Sequence, residues 1–361
     1  MARNIVDFLS YYFMARYLLQ QQKPGAQMLK RLRAQFYVDT WKKASSALGF
    51  KTRVFGRDIV EIFSPGQKPI RIHNNYLSLD DSITVEKTLN RRIIHTLLTE
   101  SNIPIPRYFE LEKFDYFSAK RHIERGTGPV VVKPTTGTGS GSGVTTNIDN
   151  MFRLIKAIAW AKAFCPSVII EDQIEGDTYR LLYLNGELLE CVIRRSPTVI
   201  GDGRSTIRRL VREENRLRIA QGIARSQSLL PLDYEMANTL RAQGLSLHSV
   251  PAAGQVIKVR TVINRNLGID NESIKDNIAP SILEMGHKIT EIVDIRYAGI
   301  DIITPDITQD LSKTKGIVLE VNAGPGLYYH YFKKDGPTPI AEIILRKVLG
   351  LQDDFSAVSI R

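Results

Sequence analysis

The stretch V-V-V-K-P-T-T-G-T-G-S-G-S-G-V-T-T, Val130 to Thr146, constrains this chain more than any other. An apolar run ends on Lys133 and Pro134, and glycine then fills every second position from Gly137 to Gly143. The run from Gly128 to Pro134 reads as a buried strand. Asp149 can cap a helix that runs to about Phe164, and S-V-I-I-E-D behind it reads as a second buried strand. The glycines therefore sit inside a strand-loop-helix-strand unit. Two familiar glycine fingerprints fail on register. A Walker loop carries its lysine after the last glycine, and G-x-G-x-x-G is not matched by Gly137, Gly139, Gly141 and Gly143. What remains is a loop with unobstructed backbone amides, hydroxyls from Thr138, Ser140 and Ser142, and a point charge from Lys133, a set suited to phosphate oxygens. The competing reading is a flexible linker beside a snorkelling lysine.

Around this unit the apolar period keeps changing. Residues up to about 47 repeat at three and four and read as helical, Thr52 to Tyr76 as a small β-meander, and V-E-K-T-L-N-R-R-I-I-H-T-L-L-T-E as one helix stopped at Ser101 and Asn102. The stretch T-Y-R-L-L-Y-L-N-G-E-L-L-E-C-V-I-R-R is a hairpin turning at Asn185-Gly186. Helices are expected at Ser205 to Ile219, Asp233 to Gln243, Ile278 to Val293 and Pro339 to Leu349. Strands are expected at Gln255 to Val262, Ala298 to Thr304 and Gly316 to Asn322. The class is α+β (mixed α/β), with residues 1–80 as an N-terminal helical and small-β region, 81–172 as a central lobe and 173–361 as a C-terminal lobe.

Length and charge bound the function. A chain of 361 residues with 43% hydrophobic content buries a core large enough for two or three lobes, and a formal charge of +11 favours anionic company. Cys165 and Cys191 form neither a metal spacing nor a disulfide framework, so a reducing cytoplasm is the default. Asp7 and Arg16 interrupt the first apolar run, which reads as an amphipathic helix on the body, with membrane-surface attachment as the minor alternative. No run reaches the length of a membrane span.

In G-I-V-L-E-V-N-A-G-P-G the alternation of a strand puts Glu320 and Asn322 on one face. Asp301 interrupts a second apolar strand. An acid and an amide side by side, with a further acid opposite, suit an oxygen-loving cation that shares its shell with phosphates; three solvated polar positions are the plainer alternative.

Taken in order, K-P with its glycine loop, I-I-E-D-Q-I-E-G, Y-R, V-I-G-D-G-R-S-T-I, Q-G-L-S-L-H-S-V-P-A-A-G-Q-V-I-K-V-R, G-I-D-I-I and L-E-V-N-A-G-P-G resemble the ATP-grasp ligases. Within them they look most like the module shared by cyanophycin synthetases and bifunctional glutathione synthetases, from about Tyr76 to Tyr331. The resemblance implies ATP held between two antiparallel sheets, with Lys87 and Lys133 as the ATP-binding lysines and the loop from Gly137 to Gly143 closing over phosphates. It implies Glu171, Asp172 and Ile174 at the adenine edge, and Asp301, Glu320 and Asn322 on magnesium. Two ions are expected, with manganese able to substitute. Arg180, Arg195 and Arg260 match positions facing phosphate or substrate carboxylate, while Arg194 reads as solvent-facing. His330 aligns with a family histidine. Asp177 stands one position early for the ribose contact, where Thr178 occurs. After Arg260 the chain reads N-R-N-L-G, which adds Arg265 and lacks a family glycine.

The implied reaction is amide-bond formation through an acyl phosphate, on an amino acid, a small peptide or a carrier-bound acyl group. The partners are a small-molecule carboxylate and an amine, with an acidic carrier protein as an option and no nucleic acid; a homo-oligomer and a cytoplasmic location go with it. A kinase on the same fold and a non-catalytic basic binding protein are the rival readings.

Overall fold

The computed structural model describes residues 2–112, 115–124, 128–136 and 141–351. Two helices open the chain, α1 (Ala2–Gln21) and α2 (Pro24–Ala47). An antiparallel meander follows, β1 (Lys51–Phe55), β2 (Ile59–Phe63), β3 (Ile70–His73) and β4 (Tyr76–Leu77). Trp41 is fully buried and donates its indole N–H to the Asn74 carbonyl at 2.9 Å, which pins α2 to the meander. The next stretch is two helices and not one, α3 (Ser82–Leu89) and α4 (Arg91–Glu100). Asn90 breaks them: its backbone is extended, its side chain caps α4 at Arg92 N, and it bridges to Thr136.

The central unit is β5 (Tyr108–Leu111), α5 (Tyr116–Glu124), β6 (Val130–Pro134), β7 (Thr145–Ile148), α6 (Met151–Lys162) and β8 (Val168–Asp172). Its four strands pair antiparallel in the order β5-β8-β6-β7. Asn150, one residue after the expected Asp149, caps α6 by accepting from Arg153 N at 3.0 Å, while Asp149 takes the Arg153 guanidinium. Beyond it come β9 (Asp177–Leu184) and β10 (Glu187–Arg194), whose turn at Asn185 and Gly186 has φ of 49° and 78°, as the Asn-Gly pair predicts. The chain continues with β11 (Thr198–Ile200), α7 (Ile207–Gln221), α8 (Tyr234–Ala242), β12 (Val256–Lys258), β13 (Asn271–Ser273), α9 (Pro280–Val293), β14 (Tyr297–Thr304), α10 (Leu311–Thr314), β15 (Ile317–Ala323), α11 (Tyr328–Tyr331) and α12 (Ile340–Val348). A second antiparallel sheet runs β13-β10-β9-β14-β15. The strand expected over Gln255 to Val262 narrows to β12, which pairs with β11 in a separate ribbon.

Side chains of the five-stranded sheet are buried on both of its faces. Leu181 and Ile300 meet Ile94 and Leu98 of α4 and Ile289 of α9 on one face; Leu182 and Leu184 meet Trp41 of α2 and Ile344 of α12 on the other. Each such aliphatic side chain contributes roughly 1.5–3 kcal/mol. A Cβ at Gly286 would collide with the Tyr183 hydroxyl, so glycine sets how closely α9 approaches the sheet. The four-stranded sheet packs on α6, which is covered in turn by α1, with Val6 fully buried there. Residues 1–80 therefore divide: α1 serves one sheet, α2 and the meander the other. Likewise α4 packs Ile94 and Leu98 with the C-terminal sheet, while its Arg91 and His95 reach the central one.

Candidate active site

The two sheets face each other across a cleft of about 850 Å³. On the central side, β6 presents Lys133 and β8 presents Glu171, both almost fully buried, and Nζ stands 2.6 Å from Oε2. His95, on α4, closes this corner with Nε2 at 3.6 Å from Glu171 Oε1 and its ring against Tyr108. Neither ring nitrogen has a hydrogen-bond partner among the described residues. Burial lowers the His95 pKa to about 4; the Glu171 charge works against this, and Lys133 and Arg91 work with it. The imidazole is neutral at pH 7, so Glu171 balances Lys133.

On the other side three neighbouring strands align their polar residues. Asp301 of β14 is paired in register with Arg180 of β9 and with Glu320 of β15. Arg180 grips Asp301 with both Nε and Nη2 at 2.6 Å, a bidentate pair. Asn322 Nδ2 donates to Glu320 Oε1 at 3.1 Å, and Arg91 Nη2 lies 3.5 Å from Glu320 Oε2. Burial raises the Asp301 pKa despite Arg180. For Glu320, burial would also raise it, but the Arg91 charge, the side-chain interaction with Asp301 and the charges of Arg180 and Lys133 carry it far below the usual carboxylate range. The site thus holds one carboxylate anionic and makes its neighbour easier to protonate.

Most of the expected residues meet here. Lys133, Glu171, Asp172, Ile174, Asp177 and Gly141 line the cleft, as do Arg180, Arg195, Asp301, Glu320 and Asn322. Asp172 is held by Arg107 through two bonds of 2.9 Å, and Arg195 is half-exposed, 3.8 Å from Asp177. Gly137, Thr138, Gly139 and Ser140 lie outside the described residues. Gly143, at φ 80°, packs against Pro134 and Phe164, and Ser142 Oγ faces the Tyr17 hydroxyl at 3.4 Å, away from the cleft.

Three residues stand elsewhere than expected. Lys87 donates to the Val293 carbonyl at the end of α9 (2.8 Å), and it is Arg91, one turn on, that enters the cleft. Arg194 is buried and not solvent-facing; it lies 3.8 Å from Asp301, donates to Asn264 Oδ1 at 2.8 Å and stacks over the Tyr329 ring. Arg260 is locked to Asp233 (2.7 Å) and Glu235 (3.0 Å) beside a second cavity. Among the described residues no three His, Cys, Asp or Glu side chains gather closely enough to hold a metal. What stands there is two carboxylates and an amide, and Arg180 already takes both oxygens of Asp301. Glu320 and Asn322 are the donors left facing the cleft, a set that fits a cation only if phosphate oxygens complete its shell.

His330 is buried like His95, and burial together with the Arg180, Lys333 and Arg194 charges lowers its pKa to about 3. Both histidines bind protons less well folded than unfolded (about 6.5 in a free chain), so as pH falls below 6.5 the unfolded state gains protons first and stability drops. Urea unfolding at pH 5 against pH 7 is expected to lose about 2 kcal/mol per histidine, and His95→Gln to remove its share of that loss. An unchanged pH slope in His95→Gln would show that His95 ionises freely in the fold.

The two opposed antiparallel sheets with this cleft between them are the ATP-grasp fold. A bifunctional glutathione synthetase from Pasteurella multocida shares it at a TM-score of 0.53, with 22% identity, over 85% of this chain and 43% of that one. In sequence the chain is similar to cyanophycin synthetase of Crocosphaera subtropica, 29% identical over 269 residues, which is 74% of this chain and 31% of that protein. It is also similar to the glutathione biosynthesis bifunctional protein GshAB of Listeria monocytogenes, 30% identical over 314 residues, 82% of this chain and 38% of that protein. The chain spans about a third of the length of the curated relatives it matches. No family model matches it.

Proposed function

We propose that the chain is an ATP- and magnesium-dependent carboxylate-amine ligase that forms an amide bond on amino acids or small peptides. The observation that carries this reading is the convergence, on one cleft, of buried Lys133 with Arg91 from one side and the Arg180-Asp301-Glu320-Asn322 row from the other. That is a site suited to neutralise and position phosphates, with no Ser-His or Cys-His pair among the described residues that line it. The relatives named cyanophycin synthetase and glutathione biosynthesis bifunctional protein support the same class.

Lys133 and Arg91 bind phosphate oxygens from the central side. Glu320 and Asn322 would hold magnesium, which would act as a Lewis acid and offset phosphate charge. Arg180, oriented by its grip on Asp301, and Arg194 behind it face the transferring group. A carboxylate oxygen of the acid substrate attacks the terminal phosphorus, the bond to ADP breaks and an acyl phosphate forms. The amine nitrogen then attacks the acyl carbon, phosphate leaves, and the nitrogen releases a proton to solvent. The cleft walls shield the acyl phosphate from water. Both cysteines are free and buried, which accords with a reducing cytoplasm, and no helix among the described residues is long and apolar enough to cross a membrane.

The test is ADP release from ATP and magnesium with amino acids and dipeptides offered in pairs, and with hydroxylamine in place of the amine. A hydroxamate of the acid is expected. A stable phosphorylated hydroxyl product with no need for an amine would make the protein a kinase, and no ADP with any pair would leave it a binding protein.

A further inference from the structure

A second cavity, of about 420 Å³, opens between α1, the segment entering α8 and the loop after β12. One wall is aromatic: Phe13 and Tyr17 of α1 meet Trp160 of α6 edge-on, with centroids 5.5 and 6.4 Å apart, and Phe13 also meets Tyr234 at 5.8 Å. The polar wall is cationic. Arg16, Lys23, Arg208, Arg260 and Arg265 line it against the single carboxylate of Asp233. Asp233 is already bound by Arg260, whose other arm takes Glu235. Arg16, Lys23, Arg208 and Arg265 have no carboxylate partner among the described residues. Among the described residues Arg265 donates one side-chain hydrogen bond, to the Leu229 carbonyl, and the buried Arg208 Nε has no hydrogen-bond partner. Burial and the neighbouring Arg260 charge lower the Arg265 pKa to about 10, as crowding of like charges demands.

Arg208 and Arg265 within the chamber, with Arg16 and Lys23 at its exposed rim, outnumber the carboxylate there and favour a ligand of two or more negative charges. The aromatic wall selects further: it gives a carbon skeleton apolar contact and a bare polyphosphate none. The chamber also adjoins the cleft. Gly141 lines both, at φ 66°, and a Cβ there would collide with Val262 on the cleft side, so the two cavities meet at a position with no side chain.

We propose that this chamber binds a small polycarboxylate of amino-acid to dipeptide size, with α1 as its roof, and presents one carboxylate past Gly141 to the cleft. The presentation step rests on the ligase reading; the binding does not.

Calorimetry on the full chain without nucleotide tests the binding, with L-Glu-L-Glu as the probe and L-Lys-L-Lys and pyrophosphate as comparisons. Saturable binding of Glu-Glu alone is expected. Arg265→Gln should weaken it at least about ten-fold, and so should Arg16→Gln with Lys23→Gln, the equivalent of one lost charge-assisted bond or more. Arg16 and Lys23 are exposed at the rim, so that variant stays informative even if Arg265→Gln fails to fold. No binding of Glu-Glu, equal binding by the rim variant, or tighter binding of pyrophosphate overturns the site. Binding that persists while Glu-Glu supports no ADP release with any amine overturns the presentation step alone.

Discussion

Lys133→Met is expected to lower ADP formation by about 10²–10³-fold and to destabilise the fold by about 3–5 kcal/mol. The two effects have separate origins. Lys133 is the buried cation on the phosphate side of the cleft, so its loss removes charge stabilisation where the transferring group carries most charge. It is also the 2.6 Å partner of Glu171, and removing it strands a carboxylate that is 1% exposed. A second substitution separates them. Replacing a buried pair by apolar residues is often neutral for stability, so Lys133→Met with Glu171→Leu should regain most of the lost stability and none of the turnover. Urea unfolding and ADP release on the two variants decide the matter. Full activity in Lys133→Met would mean that phosphates bind elsewhere, and activity restored in the double variant would mean that Lys133 acts only through the fold.

The next largest effect is expected at Arg91. Arg91→Ala should reduce turnover on the order of 10²-fold, since the guanidinium lies in the cleft 3.5 Å from Glu320 and helps set the acidity of the latter. It also ties the end of β6 to α4 through its bond to the Pro134 carbonyl at 2.9 Å. Lys87→Ala is the control. Its ammonium sits at the end of α9, where a cation is worth roughly 0.3–1 kcal/mol, so turnover should stay near the parent value. Steady-state ADP release at saturating and limiting ATP measures both. The opposite ranking would return the phosphate contact to Lys87.

Why Arg91 escaped sequence reading is instructive. V-E-K-T-L-N-R-R-I-I has unbroken helical spacing, and a continuous helix would have carried Lys87 and Arg91 on one face. The break at Asn90 comes from a bridge to Thr136, a tertiary contact that local propensity does not encode. Arg194 was hidden in another way. Its neighbour Arg195 offers the same charge, and strand alternation says that one of the two faces in without saying which; Asn264 and Tyr329, distant in sequence, decide it. Where local chemistry suffices, the reading was accurate. The Asn185-Gly186 turn needs positive φ at two positions, and the E-x-N alternation on β15 does put Glu320 and Asn322 together at the cleft. Arg260 shows the converse: a residue type correct for oxyanions is sequestered by Asp233 and Glu235, and nothing within a few residues of K-V-R announces those partners.

The N-terminal helices carry a mechanical consequence. With α1 seated on α6 and α2 on α12, each is bolted to a different jaw, and only Gln22 and Lys23 join them before Pro24 opens the second helix. Two stiff rods on a two-residue pivot behave as a caliper. With both rods held stiff, a swing of one jaw against the other changes the angle at that pivot, where Lys23 also borders the cationic chamber. The width of the mouth and the height of the chamber's ceiling are therefore geared together.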